Sequence, residues 1–131
     1  MIVDSSALVA AIKREQDWQE LSHAMDSAAT LSISAASYLE IGIVVDGLRD
    51  PVQSTKLDDL ILDIGMTIEP VTAEQARIAR QAYRDYGKGS GHPANLNFGD
   101  CFTYALARVK REPLLYKGDD FVHTDLRSAL S

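Results

Sequence analysis

Short apolar runs closed by turn residues alternate along this chain with stretches of helical period. "MIVD" reads as a first strand, and Ser5 or Ser6 caps a helix over "ALVAAIKRE". "DWQELSHAMDS" has the pattern of a second amphipathic helix, and "TLSIS" that of a strand. Ser34 is placed to cap a long helix over "AASYLEIGIVVDGL", which stops near Asp50-Pro51. "QSTKLDDLILDI" predicts a further helix and "MTIEPV" a further strand. Thr72 with Gln75 three residues on forms a capping box for "AEQARIARQAYRDYG". The Gly-rich loop "GKGSGHPAN" leads into the helix "FGDCFTYALARVKRE", the strand "PLLYK" and the turn "GDDF". Strands separated by helices predict an α/β fold, a three-layer sandwich about a mainly parallel sheet of four to five short strands.

Five acids stand out from this pattern. Asp4 ends the first strand, and Asp119 and Asp120 follow the last; in a parallel sheet both places belong to the edge where ligands collect. Glu40 stands among Tyr38, Leu39, Ile41 and Ile43, where only a structural ion pair would otherwise account for it. Asp100 lies near the start of an apolar helix, a position that also suits an ordinary N-cap or first-turn acid. If Asp4, Glu40, Asp100 and one of Asp119 or Asp120 converge, each close pair costs about 4 kcal/mol at an effective dielectric of 20. A divalent cation removes that cost. Oxygen donors without a His/Cys set point to Mg²⁺ or Mn²⁺ and to phosphoryl transfer.

Composition narrows the picture further. The 131 residues predict one domain over 1–131, and a 46% hydrophobic, 24% charged make-up is that of a globular protein. A lone Cys101 excludes an intrachain disulfide and reads as a small buried residue. No signal-peptide pattern or bilayer-length apolar run occurs, so a soluble, cytoplasmic protein is expected. The net charge of −6 argues against coating nucleic acid, yet basic residues are grouped. Arg77, Arg80, Arg84 and Lys88 recur at helical spacing, with Tyr83 and Tyr86 near them to stack on bases. A solvated helix face paired with Glu74 and Asp85 is the plainer alternative. Lys110, Arg111 and Lys117 form a second basic group. His92 is a possible substrate contact in its loop; His23 and His123 lack ligand-spaced partners. Trp18 reads as packing, and "IGIVV" with Leu48 and "LILDI" as core or as partner surface.

"MIVDSSALVA", "AASYLEIGIVV", "LNFGDCFTYALA" and "LLYKGDDF", in that order, resemble a PIN domain, and more narrowly the VapC-type toxins of bacterial toxin–antitoxin pairs. The likeness runs from the first residues to about Asp125. It implies a PIN-like fold and a Mg²⁺-dependent endoribonuclease (Mn²⁺ being an alternative) acting on tRNA or ribosomal RNA. It assigns Asp4, Glu40 and Asp100 to the metal-binding and catalytic set. Ser6 matches the family's small polar residue that holds a carboxylate or a metal-bound water. The fourth acid is Asp119 or Asp120, with Asp119 favoured by its place next to the adaptable Gly118. It also implies a VapB-type antitoxin whose tail fills the groove, a homodimer, and a heterotetramer or larger assembly with the antitoxin. A non-catalytic interaction module, or a phosphoesterase acting on DNA or a small phosphate ester, are the alternative readings.

Overall fold

In the computed structural model, which describes residues 1–130, the chain folds as one α/β sandwich. The elements are β1 (Ile2–Val3), α1 (Ser5–Lys13), α2 (Trp18–Ser27), β2 (Ser32–Ser34), α3 (Ala35–Asp46), α4 (Pro51–Asp63), β3 (Thr67–Glu69), α5 (Ala73–Tyr86), α6 (Phe98–Lys110) and β4 (Leu114–Leu115). The four strands form one parallel sheet in the order β3-β2-β1-β4. Ile2 is level with Ser32 on one side and Leu114 on the other, and Val3 with Leu115.

Alternation within these very short strands divides the core into two layers. Ile2 and Leu114 point to one face and pack with Leu96, Tyr104, Leu106 and Phe121, under α5 and α6. Val3, Ile33 and Leu115 point to the other and meet Leu8, Leu21, Ile41 and Leu57 from α1 to α4. Two-sided burial explains why β1 and β4 read as continuous apolar runs. Fully burying each of these side chains contributes about 1.5–3 kcal/mol. Among the described residues no helix is long and apolar enough to cross a membrane.

Several local readings are refined. Asp4, rather than Ser5 or Ser6, caps α1: its backbone is extended and its side chain accepts the Ser6 N–H. Ser34 caps α3 as expected, but α3 ends at Asp46, and Asp50 caps α4 with Pro51 in its first turn. At α5 only half of the anticipated box forms. Thr72 Oγ1 accepts the Gln75 N–H at 3.1 Å, while the buried Gln75 Oε1 has no partner. The reciprocal box forms at α6, where Asn97 Oδ1 accepts from Asp100 N and Asp100 Oδ2 accepts from Asn97 N.

Candidate functional site

β1 delivers Asp4, β2 runs directly into the helix that carries Glu40, and β4 runs into the turn that carries Asp120. α6 brings Asp100 in its first turn to the same edge. The four carboxyl groups line one cleft of about 420 Å³, together with a fifth acid, Glu15, and with Ser5, Ser6, Asn97 and Lys117. Of the two acids in the turn, Asp120 lines this cleft and Asp119 does not, against the preference for Asp119. Gly118, at φ +100°, supplies the reversal, and the chain points its second acid rather than its first toward α6.

Asp4 is 5% exposed and fully bonded. Its Oδ2 accepts the Ser6 N–H at 3.0 Å and its Oδ1 accepts the Thr103 hydroxyl at 2.7 Å. Because Thr103 spends its proton on Asp4, the Ser37 hydroxyl, 3.1 Å away, donates to Thr103. This buried relay joins α3, α6 and the end of β1, and neither Ser37 nor Thr103 was singled out from sequence. The available signal was spacing: each lies three residues from an acid of the set, Ser37 before Glu40 and Thr103 after Asp100.

Asp100 is 8% exposed. Its carboxyl is pushed up to about 7, first by burial and then by the charges of Asp120 and Asp4, with a hydrogen bond to Asp120 adding to the shift; the Asn97 N–H opposes it. Cys101, next in the chain, is a buried core residue as expected, its thiol pushed up to about 11 by burial and the Asp100 charge.

Glu40 is exposed, and so is the apolar stripe beside it, Leu39, Ile43 and Val44. The carboxylate therefore does not interrupt a buried face; it leaves the helix at the cleft rim. Ser5 Oγ donates to Glu40 Oε1 at 3.0 Å. Ser6, expected to hold a carboxylate or a metal-bound water, lines the cleft, and its hydroxyl oxygen accepts the Lys117 N–H at 3.0 Å and so holds the start of the β4 turn. Glu40 also lies so close to Gly99 that a Cβ there would overlap its Oε2.

Arg77, Arg80 and Arg84 are exposed on α5. Lys88 lies beyond the end of that helix, its N–H bonded to Leu96 O, so the spacing argument does not reach it. Among the described residues none of the four is in an ion pair. Tyr83 is exposed, but Tyr86 turns inward onto His92 and Tyr104 and is not available to stack on a base. His92 is a loop staple, its Nδ1 accepting the Ala94 N–H. The second basic group is dispersed: Lys110 pairs with Glu69, Lys117 lines the acidic cleft, and Arg111 lines a separate cavity beside Tyr104 and Arg108.

The donor set suits a hard divalent cation, being carboxylate oxygens with no histidine or thiolate at the cleft. The raised Asp100 group marks the place where negative charge is in excess. Among the described residues no three acidic, histidine or cysteine side chains are gathered tightly enough to hold a metal ion as they stand. Asp4 and Asp100 are fixed by backbone and hydroxyl donors, whereas Glu40 and Asp120 are exposed. Closing the set around a cation thus requires movement of the two exposed members.

Residues 1–126 match the PIN domain family. The chain is 56% identical over 130 residues to ribonuclease VapC28 of Mycobacterium tuberculosis, covering 99% of this chain and 98% of that one. It is 50% identical over 129 residues to ribonuclease VapC42 of the same species, with 98% of each covered. Its fold superposes on the crystal structure of M. tuberculosis VapC20, a toxin that cleaves the sarcin–ricin loop, with a TM-score of 0.73 at 16% identity over 95% of both chains.

Proposed function

The chain belongs to the PIN-domain family and within it to the VapC ribonucleases, and from that premise we propose that it is a Mg²⁺-dependent endoribonuclease, the toxin of a pair with a VapB-type antitoxin. The observation that carries the reading is the single cleft lined by Asp4, Glu40, Asp100 and Asp120, in which Asp100 is pushed up to about 7 by burial and by two of its neighbours. Asp4, Asp100, Glu40 and Asp120 would hold the cation. Mg²⁺ or Mn²⁺ bound there supplies an acidified water and positive charge for the phosphate oxygens.

The protein's own groups do the rest. The Thr103–Ser37 relay and the Ser6 N–H keep Asp4 in one orientation. The Asn97 box does the same for Asp100. Glu40, on the exposed rim, would either complete that coordination or take the proton of the attacking water. The water oxygen bonds to phosphorus as the P–O bond to one ribose oxygen breaks, and the proton lost by the water is made good at that leaving oxygen by way of solvent. Exposed apolar residues on α3, on α4 and in the turn between them, among them Leu39, Ile43, Leu48, Val52 and Leu62, support the homodimer and the heterotetramer or larger complex with antitoxin. The test is cleavage of end-labelled tRNA and ribosomal RNA with Mg²⁺ or EDTA, by wild type and Asp100→Ala. Cleavage only by wild type with Mg²⁺ is expected. Cleavage that survives EDTA would overturn the metal site.

A further inference from the structure

Beside the acidic cleft lies a second concavity of about 590 Å³, between α5 and the start of α6, and its chemistry is of the opposite kind. Ala79 and Cys101 form its apolar floor, and Tyr83, Phe98 and Phe102 its walls. Arg80 and Lys88 stand on its rim. Phe98 is 80% exposed although it is among the largest apolar side chains in the protein. It is held edge-on to Phe102 at 4.9 Å between ring centroids. Tyr83 is fixed by donating its hydroxyl to Lys88 O at 2.9 Å. The slot is therefore shaped before anything enters it, and its size is that of an ordinary ligand pocket.

Two further facts identify the occupant. Asn97 lines both this slot and the acidic cleft, so the two adjoin, and Phe98 stands two residues from Asp100. The rim cations are free of ion pairs among the described residues. A flat apolar body flanked by negative charge, joined to a phosphate in the acidic cleft, fits both surfaces at once. A nucleotide has that make-up.

We propose that the Phe98–Phe102–Tyr83 slot is a nucleobase subsite: it takes an unpaired base of the RNA next to the scissile phosphodiester, while Arg80 and Lys88 hold the adjoining phosphates. The proposal rests on the ribonuclease reading and deepens it. It makes the enzyme one for single-stranded or loop RNA, since a base must leave its stack to enter. Stacking on the aromatic walls tolerates any base, whereas the rim contributes a salt-dependent term blind to sequence.

The test compares two probes of equal charge, a labelled pentaadenylate and the same ribose-phosphate chain without bases, by fluorescence anisotropy in EDTA. Wild type is expected to bind the base-bearing probe about tenfold or more tightly, the scale of one base stacked on an aromatic ring. Phe98→Ala should abolish that ratio without changing affinity for the abasic chain, and Phe98→Trp should restore it. Arg80→Ala with Lys88→Ala should weaken both probes alike and flatten the salt dependence. Phe98 is so exposed that its replacement leaves the fold intact, which melting curves will verify. An unchanged ratio in Phe98→Ala would overturn the subsite while leaving Mg²⁺-dependent cleavage by the wild type standing. Loss of a dimer on the same substitution, seen by sedimentation, would also overturn it, since the slot would then be a self-interface. Absence of both RNA binding and cleavage in wild type would overturn the ribonuclease reading with it.

Discussion

Gly99→Ala should separate the function of this protein from its stability. Gly99 is in the first turn of α6 and its φ lies outside the left-handed region, so the backbone there does not demand glycine. The demand comes from Glu40. A Cβ at position 99 would overlap Glu40 Oε2 and lie 2.9 Å from its Cδ and 3.0 Å from its Oε1. With ordinary contact near 3.5 Å, the carboxylate must retreat by about 1 Å or more. It can do so into solvent, because Glu40 is exposed, but it then leaves the Ser5 hydroxyl that holds it at 3.0 Å. A displacement of that size at a reacting group costs up to about 100-fold in rate. Stability should move the other way, since alanine is favoured over glycine in a helix by about 0.5–1 kcal/mol. The expected result is a melting temperature in EDTA equal to wild type or a few degrees higher. RNA cleavage should fall about 10- to 100-fold, and the midpoint of thermal stabilisation by Mg²⁺ should shift to higher concentration. Adding Glu40→Asp, one methylene shorter, should recover part of the loss. Wild-type cleavage and an unchanged Mg²⁺ midpoint in Gly99→Ala would refute the argument.

Asp4→Asn should abolish cleavage and shift the melting temperature by no more than a few degrees: the amide oxygen keeps the Ser6 N–H, and the amide NH₂ donates to Thr103, whose proton turns to Ser37. Thr103→Val, at a site 1% exposed, should lower stability by about 1–3 kcal/mol in denaturant titration, because it leaves an Asp4 oxygen without its donor. That variant should also cut more slowly than wild type. The metal-free protein should lose stability as pH rises from about 4 to 7. In that window the folded state keeps the Asp100 proton, bound up to about 7, which the unfolded chain has released from near 3.8; the native state thus binds more protons and stability falls with pH, by on the order of 2–4 kcal/mol. Melting curves in EDTA across that range check the sign; Mg²⁺ should offset the loss near pH 7, and Asp100→Asn should flatten the slope.

The arrangement of elements was legible in the chain because each is announced locally. Apolar runs of a few residues mark β1 and β4, which are buried on both faces, and Ser34 and Thr72 mark helix starts through their own hydroxyls. The same logic located Asp4, Glu40 and Asp100 as acids out of place, and the structure brings all three to one cleft. Locality also bounded the reading. Whether Asp119 or Asp120 faces that cleft depends on how a glycine turn packs against α6, a contact between segments some twenty residues apart. Ser37 and Thr103 are unremarkable hydroxyl residues in sequence; they matter only because α3 and α6 cross over Asp4 and bury all three together. Glu40 looked embedded because its neighbours are apolar, yet periodicity cannot say which apolar face of a helix the core will cover. Sequence by itself therefore determined the strand–helix order and the acids that end those strands, through short-range capping and alternation. Only the tertiary structure decided which hydroxyls, which turn acid and which glycine serve them, because those choices are made by contacts across elements.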